Sequence, residues 1–544
     1  MSKSLSEYTK EELLELVQSL KRTKKFGLVW ENKPEKVATD CEQKLPVVVE
    51  VAERAITKAD NAPTNLIIEG DNYHALSVLN YTHAGKIDVI YIDPPYNTGN
   101  KDFIYNDRFV DREDGFRHSK WLSFMAKRLK LAKSLLSDMG VIFISIDDNE
   151  QANLKLLCDE VFGADNFVAN VIWQKIHSTK NDAKHLSNNH EYILFYSKNI
   201  ENLTVNLVER SEAMNARYKN PDNDPRGSWQ SGDLVANEVR TNGNYDVASP
   251  ITGKAFNVPI GKHWVYSQNT MEQLISDNKI YFGKDGNAFP RKKRFLSEVQ
   301  QGKKADTIWL SGDVGHNQEG KRELLSAFNN EVSFDSPKPT RLIEYIIKIA
   351  TDKSATILDF FAGSGTTGHA VLKLNTEDSG ERQFILCTNN ESGIAENITY
   401  ARIAKAIDGY GDTEGIPANV RYFKTDFVDK ADTTDQTRVA LVGRATDMIK
   451  IRENTFDKVA ESDLYKIYEN ADIYSVMIFD PSVIEATKAE IAKLSPDKIV
   501  HIYIFSLAND DFGSDFADLN RQFQICPIPE SVLEVYKRIF GGKK

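Results

Sequence analysis

Residues 355–368 read ATILDFFAGSGTTG, and residues 87–96 read IDVIYIDPPY. Each stretch begins with an apolar run typical of a buried β-strand and ends in a turn. A third strand of the same kind, VIFISID, covers residues 141–147, and helix-like segments separate these strands. Alternating strands and helices predict an α/β fold with a largely parallel sheet, whose apolar strands need helices on both faces.

Strands and helices also alternate in the segments next to these strands, but one long segment lacks this pattern. Residues 171–334 are instead rich in Asn, Gly, Pro and aromatic residues, as in NPDNDPRGSW, which predicts a loop-rich insertion. An amphipathic helix is predicted at residues 6–21. The predicted parts are an N-terminal helical arm (1–62), two parts of one α/β core (63–170 and 335–427), the inserted module between them (171–334) and a small α/β C-terminal domain (428–544).

Composition narrows the class of protein. Of the 544 residues, 41% are hydrophobic and 27% are charged, which excludes a disordered or collagen-like chain. The formal net charge of -11 argues against a protein that coats nucleic acid with its whole surface. No apolar run is long enough to cross a membrane. The four cysteines lie far apart in sequence, so we expect free thiols, a cytoplasmic location and no metal site.

The glycine-rich turn after the strand at 355–361 predicts a ligand-binding loop. Gly363, Gly365 and Gly368 follow the pattern GxGxxG, which allows a tight turn and close approach of a ligand to a helix N-terminus. A phosphate-binding P-loop would require lysine where this chain has His369. Glu391, just after the next strand, is a candidate for binding ribose hydroxyls. This acid does not distinguish NAD from S-adenosylmethionine.

The turn Asp93-Pro94-Pro95-Tyr96 suits a planar exocyclic amine. The prolines hold the backbone extended and remove two amide donors. Asp93 and the Pro94 carbonyl can each accept an N–H bond, and Tyr96 can stack on the ring. Ligands of open α/β sheets bind at the carboxyl edge, where this turn is predicted to lie.

The pairing of DPPYNTG (93–99) with FAGSGTTG (361–368) resembles the beta group of amino methyltransferases acting on DNA. In that group the catalytic motif precedes the cofactor motif, and a target-recognition region lies between them. FGLVWENKPEKV (26–37) and the C-terminal domain are similar to the modification subunit of type III restriction–modification systems. The resemblance thus covers nearly the whole chain.

The resemblance implies a Rossmann-like core that uses S-adenosylmethionine to methylate the N6 amine of adenine after base flipping. Asp93, Pro94, Pro95 and Tyr96 would hold the target base. The positions implied for cofactor binding are Asp71 at the adenine, Phe361, Gly363 and Gly365 at the methionine part, Lys338 and Pro339 at its carboxylate end, and Asp359, Thr366 and Glu391 to complete the set. It further implies a homodimer that pairs with a separate restriction subunit carrying ATPase and nuclease activities.

A basic stretch predicts where double-stranded DNA is bound. Residues 284–304 carry seven basic and two acidic side chains, with two phenylalanines interleaved. Arg291, Lys292, Lys293 and Arg294 form its centre and suit the neutralisation of phosphates.

Other functions stay open at this point. The enzyme could act alone, without a restriction subunit, or methylate the N4 amine of cytosine, although that group more often begins its motif with Ser than with Asp. It could also be a catalytically idle DNA-recognition subunit. A nicotinamide oxidoreductase would leave the DPPY turn unexplained.

Overall fold

The structure is a computed structural model and describes residues 9–10, 28–60, 62–178, 185–300, 302–507 and 512–540. The helix predicted at residues 6–21 falls almost wholly outside these residues and stays a prediction. The chain forms two compact units. The smaller unit is Val205–Ala305, and the larger unit is formed by the residues on both sides of it.

The first part of the larger unit alternates strands with helices, as predicted. The central strands carry apolar runs such as LIIE (66–69) and IDVIYI (87–92), and the helix Asn72–Thr82 begins where the Asp71 side chain accepts the Tyr73 amide. The elements are α1 (Lys36–Asp40), β1 (Lys44–Glu50), β2 (Ile56–Thr57), β3 (Thr64–Glu69), α2 (Asn72–Thr82), β4 (Ile87–Ile92), β5 (Ile104–Tyr105), β6 (Arg108–Phe109), α3 (Arg117–Leu135), β7 (Leu136–Ile146), α4 (Gln151–Phe162), β8 (Phe167–Gln174) and β9 (His190–Ser197).

The smaller unit has short elements around its own core. Its buried side chains include Trp264, Phe256 and Phe282. An antiparallel bridge between Val208 and Lys303 joins the two ends of the unit. The elements are α5 (Glu212–Asn215), β10 (Trp229–Gly232), β11 (Val235–Asn237), β12 (Val247–Ala248), β13 (Ala255–Phe256), β14 (Lys262–Trp264), α6 (Gln268–Ser276), β15 (Ile280–Tyr281) and β16 (Arg291–Phe295).

The chain then returns to the larger unit. The segments 171–204 and 306–334, expected to belong to the inserted module, are part of this larger unit, and β8, β9 and β17 extend its sheet. The elements are β17 (Ile308–Trp309), α7 (Ser311–Val314), α8 (Asn317–Ala327), α9 (Thr340–Ala350), β18 (Thr356–Asp359), α10 (Thr366–Asp378), β19 (Gln383–Thr388), α11 (Ala401–Asp408) and β20 (Asn419–Asp429).

One sheet of eleven strands forms the centre of the larger unit, in the order β1-β20-β3-β19-β18-β4-β7-β9-β8-β17, with β2 paired to β20. The pairings from β20 to β7 are all parallel, whereas β1, β2 and β9 pair antiparallel to their neighbours. The predicted α/β class with a largely parallel central sheet is therefore confirmed. Strands β4 and β18 are direct neighbours, so the turns that follow them leave the same edge of the sheet.

The C-terminal part adds a second sheet of five strands, in the order β21-β22-β23-β24-β25. Pairings within β21–β23 are antiparallel, and those from β23 to β25 are parallel. The elements are α12 (Thr434–Gly443), α13 (Ala445–Glu453), β21 (Asp457–Glu461), β22 (Tyr465–Glu469), β23 (Ile473–Ile478), α14 (Ile484–Ile491), β24 (Ile499–Phe505), β25 (Phe523–Ile528) and α15 (Glu530–Phe540).

Helix α15 packs on the core of the larger unit. Val532 and Tyr536 are buried in the same hydrophobic cluster as the residues of α2, and the Tyr536 hydroxyl donates to the Pro46 carbonyl in β1. Among the helices of the described residues, none has the length and apolar character needed to cross a membrane.

Candidate functional site

The two turns predicted to carry function meet at the carboxyl edge of the sheet. The turn after β18 requires glycine, because Gly363 has φ +48° and Gly365 has φ +73°. A Cβ at Gly365 would lie 3.2 Å from the Thr399 carbonyl oxygen. Asn72, at the start of α2, donates to the Phe360 carbonyl at 2.9 Å and ties this turn to the neighbouring one after β3.

The Asp93 carboxylate, after β4, is bonded through both oxygens. The Tyr96 hydroxyl donates to Oδ1 at 2.8 Å, and the Lys338 ammonium lies 2.6 Å from Oδ2. The ammonium also donates to the Tyr96 hydroxyl oxygen at 3.1 Å. Lys338 therefore contacts the turn after β4, whereas the sequence predicted it at the carboxylate end of the cofactor.

Glu191 of β9 joins this group, and the sequence alone did not single it out. Its Oε2 accepts from the Tyr96 hydroxyl at 3.0 Å, and its Oε1 lies 3.1 Å from the Lys175 ammonium. The signal available in the sequence was an acid within the otherwise apolar strand HEYILFYS. An acid in a buried strand requires a charged partner, and here it has two.

Burial and charge set the protonation of the group. Burial alone would raise the pKa of the Glu191 carboxyl, but the ammonium groups of Lys338 and Lys175 outweigh it and hold that pKa below its ordinary value. Burial would lower the pKa of Lys338, yet the Asp93 and Glu191 carboxylates raise it. Burial, followed by the charges of Asp93 and Glu191, raises the pKa of Tyr96 well above its ordinary value. Lys338 and Glu191 are therefore charged, and Tyr96 is neutral, at neutral pH.

The prolines of the turn have different surroundings. The Pro95 carbonyl accepts from the Trp121 indole of α3 at 2.7 Å. Within the described residues, the Pro94 carbonyl has no hydrogen-bond donor. The backbone after Tyr96 is fixed by Asn97, which has φ 58° and donates to the buried Glu150 carboxylate at 2.5 Å. Of the two proline carbonyls, Pro95 is therefore already bonded and Pro94 is available as an acceptor.

A cavity of about 490 Å³ opens beside these turns. Asp71, Asn72, Pro95, Phe124, Phe361 and Glu391 are among its lining residues. The Asp71 carboxylate is held by the buried Arg128 guanidinium at 3.2 Å. The volume lies within the range of about 300–1,000 Å³ typical of small-molecule sites.

The other residues expected to bind a cofactor lie outside the lining of this cavity. They are Lys338, Pro339, Asp359, Gly363, Gly365 and Thr366. Asp359 accepts from the Thr367 hydroxyl at 2.6 Å and from the Phe361 amide at 3.0 Å, so its contacts shape the turn. The Thr366 hydroxyl bonds to Arg402 and to the Lys338 carbonyl, and Pro339 is the N-cap of α9.

In the smaller unit, the structure contradicts the DNA-binding role predicted for Lys293, one of four residues predicted to contact DNA. Lys293 is only 1% exposed, and its ammonium is paired with Asp222 at 2.5 Å and Asp224 at 2.8 Å. Side chains alternate across a strand, so Lys293 points into the unit and cannot reach a phosphate. Lys292 donates to the Tyr266 hydroxyl at 2.6 Å. Arg291 and Arg294 are exposed and stay predictions.

Arg291 borders a cleft of about 530 Å³ within the smaller unit. Arg217 and Lys219 lie on it together with the aromatic side chains of Trp229 and Tyr281. Sequence reasoning missed both Arg217 and Lys219, because neither belongs to a basic run. Cations around aromatic rings form a surface suited to a nucleic-acid backbone and its bases.

Comparison with known proteins assigns the family. The family model described as DNA methylase matches residues 87–405, which hold both turns and the lysine between them. The chain belongs to the DNA methylase family.

Similar proteins differ in length from this methylase. It is 39% identical to the type III restriction-modification enzyme StyLTI Mod subunit of Salmonella typhimurium, over 64% of this chain and 56% of that subunit, so it spans little more than half of that relative. It is 32% identical to the type II methyltransferase M.KpnI of Klebsiella pneumoniae, over 63% of this chain and 85% of that enzyme. A solved putative DNA modification methylase from Thermus thermophilus, complexed with S-adenosyl-L-methionine, is 12% identical with a TM-score of 0.31 and covers 66% of this chain and 99% of its own.

Proposed function

We propose that this methylase transfers a methyl group from S-adenosylmethionine to the N6 amine of adenine in double-stranded DNA, at a specific sequence. One observation carries the proposal. The Asp93 carboxylate and the Pro94 carbonyl, which accepts no hydrogen bond from the described part of the chain, both follow β4 at the sheet edge, where a cavity of about 490 Å³ opens. A carboxylate and a carbonyl side by side are the acceptors that an exocyclic amine with two N–H groups requires.

The residues of the cavity fit S-adenosylmethionine. Asp71 and Glu391 offer carboxylates to hydroxyl and amino groups, and Phe361 and Phe124 offer aromatic surface to a purine. When bound there, S-adenosylmethionine supplies an electrophilic methyl group carried on a positively charged sulfur. Glycines at 363 and 365 keep the backbone of the neighbouring turn free of side chains.

The protein's contribution is to position and stabilise the amine. Adenine must leave the DNA helix to reach the turn, which costs a few kcal/mol for unpairing and unstacking. The Tyr96 ring offers a stacking surface, and Asp93 accepts an amine N–H. Its negative charge stabilises the positive charge that grows on the nitrogen as that nitrogen gains the methyl group. One amine proton then leaves to solvent.

The substitution Asp93→Ala tests this function. It should reduce methyl transfer by at least about 100-fold, because charge stabilisation of this kind contributes factors of that order. Binding of S-adenosylmethionine should change by less than about threefold, since Asp93 does not line the cofactor cavity, and DNA binding should change as little because the basic cleft lies in the smaller unit. Transfer of tritiated methyl groups to unmethylated bacterial DNA measures the first quantity, and titration calorimetry measures the second.

Mass analysis of the digested DNA identifies the product. N6-methyladenine is expected. N4-methylcytosine would contradict the proposed base, and wild-type activity in Asp93→Ala would contradict the proposed catalytic turn.

We further propose that the protein acts in the cytoplasm as a homodimer and as the modification subunit of a type III restriction–modification system. The similarity to the StyLTI Mod subunit supports this assignment. A separate restriction subunit would then supply ATPase and nuclease activities. Light scattering of the purified protein tests the dimer, and co-purification with a candidate restriction subunit tests the complex.

A further inference from the structure

The Lys338 ammonium lies between two carboxylates. It is 2.6 Å from Asp93 Oδ2 and 3.7 Å from Glu191 Oε2, and the side chain is only 7% exposed. The Tyr96 hydroxyl oxygen also lies within hydrogen-bond distance of both carboxylates, and its single proton can be donated to either one. A shift of about 1 Å would therefore move the Lys338 ammonium from Asp93 to Glu191. The ammonium would have a carboxylate partner both before and after the shift.

The charges of the group stay balanced during such a shift. Lys175 lies 3.1 Å from Glu191 Oε1, so two ammonium groups face two carboxylates. Neither carboxylate is left without a cation, because Lys175 stays on Glu191 and Lys338 remains close to both. Moving one cation within this neutral, partly buried group avoids the large cost of leaving a buried charge unpaired.

The proposed reaction requires Asp93 to accept a new donor. In the structure both of its oxygens are already bonded, one to Tyr96 and one to Lys338. An ammonium group on this carboxylate also offsets the negative charge that would stabilise the methylated amine.

We propose that Lys338 transfers its hydrogen bond from Asp93 to Glu191 when the target amine enters, and that Glu191 is a positioning residue for methyl transfer. This inference rests on the proposed function. Glu191 acts through Lys338: its charge draws the ammonium away, which frees Asp93 Oδ2 for the amine and strengthens the field of the carboxylate at the nitrogen.

The substitution Glu191→Gln tests the exchange. Glutamine keeps the size of the side chain and one oxygen that can accept from Tyr96, but it loses the charge and places an amide NH2 where the second oxygen accepts from Lys175. We expect kcat for DNA methylation to fall about tenfold or more, with KM for DNA and the Kd of S-adenosylmethionine within about twofold of wild type. Glu191→Asp retains the charge and should recover a large part of kcat.

The matched control is Glu453→Gln in α13. Glu453 is a similarly buried carboxylate that accepts from His501 and Tyr503, far in sequence from both turns. It should leave kcat unchanged. Thermal unfolding of all variants accompanies the kinetics and reports any loss of the fold.

Three results would overturn the exchange. Wild-type kcat in Glu191→Gln would show that the charge is not needed. An equal loss in Glu191→Gln and Glu191→Asp, together with weaker cofactor binding or a lower Tm in both, would assign Glu191 to the fold alone. If wild-type protein transfers no label to DNA, the proposed function fails and the exchange fails with it. Active wild type with an active Glu191→Gln refutes only the exchange.

Discussion

The Asp359 carboxyl group at the end of β18 is enclosed by protein, and burial raises its pKa from 3.8 to about 7. Hydrogen bonds from Thr367 and the Phe361 amide oppose this shift without cancelling it. The folded protein therefore holds a proton that an unfolded chain releases near pH 4. Stability from this proton is complete below about pH 4 and is lost as the pH rises toward 7.

Asp359→Asn should remove this pH dependence, because the amide does not ionise. The unfolding free energy of wild type relative to the variant should decrease by on the order of 4 kcal/mol between pH 4 and pH 7, at about 1.4 kcal/mol per pKa unit. Thermal or denaturant unfolding across this range measures the difference. The control Asp138→Asn alters a carboxylate that is 86% exposed and should give a flat difference. A flat difference for Asp359→Asn as well would refute the protonated carboxyl.

At the scale of the element, α15 connects the C-terminal domain to the core. It follows β25 of the five-stranded sheet, but its apolar face packs against the helix α2 and against β1 of the eleven-stranded sheet. The apolar face of such a helix serves either association with another subunit or packing on the core of its own chain. Burial of Val532 and Tyr536 against α2 shows that this face is a cap on the core.

Tyr536→Ala should therefore destabilise the whole larger unit. Loss of a buried aromatic side chain costs about 3–5 kcal/mol, and the Pro46 carbonyl would also lose its donor. The first thermal transition, followed by circular dichroism, should move to lower temperature. Lys537→Ala, next to it but 66% exposed, is the control and should leave the transition in place. If both variants unfold like wild type, the helix does not stabilise the core.

At the scale of the whole molecule, charge is unevenly distributed. The chain carries a net charge of -11, yet the cleft of the smaller unit has Arg217, Lys219 and Arg291 on its border. An acidic protein can bind DNA only through such a local basic surface, since its average field repels phosphates. The net negative charge of the chain would then confine DNA binding to this cleft.

Arg217→Ala and Arg291→Ala should each weaken DNA binding and lower the steepness of its salt dependence by about 0.9 for each phosphate that is no longer neutralised. Fluorescence anisotropy of a labelled duplex over a series of NaCl concentrations measures the slope. Lys493→Ala, at a lysine in the C-terminal domain that is 67% exposed, should leave it unchanged. Lys293→Met should lower the Tm without changing the slope. A normal slope in both arginine variants would place the DNA elsewhere.

Local features of the chain were predictable, and distant pairings were not. The strands before Asp93 and Gly363 could be predicted because a buried strand and a glycine turn are each encoded by consecutive residues. The contact between Lys338 and Asp93 joins positions 245 residues apart, and nothing local indicates it. For the same reason Lys293 was assigned to DNA: its partners, Asp222 and Asp224, lie outside the basic run that suggested it.

The two ends of the smaller unit lie side by side, and this has a practical consequence for exchanging segments between proteins. Val208 and Lys303 bond to each other through both backbone amides at 2.9 Å, so the unit begins and ends at adjacent points. A segment whose ends meet can be replaced by another of different length without changing the distance that the host chain must span. Residues 205–305 are thus a segment that can be exchanged as a whole, and grafting a homologous segment there should leave the sheet and turns of the larger unit intact.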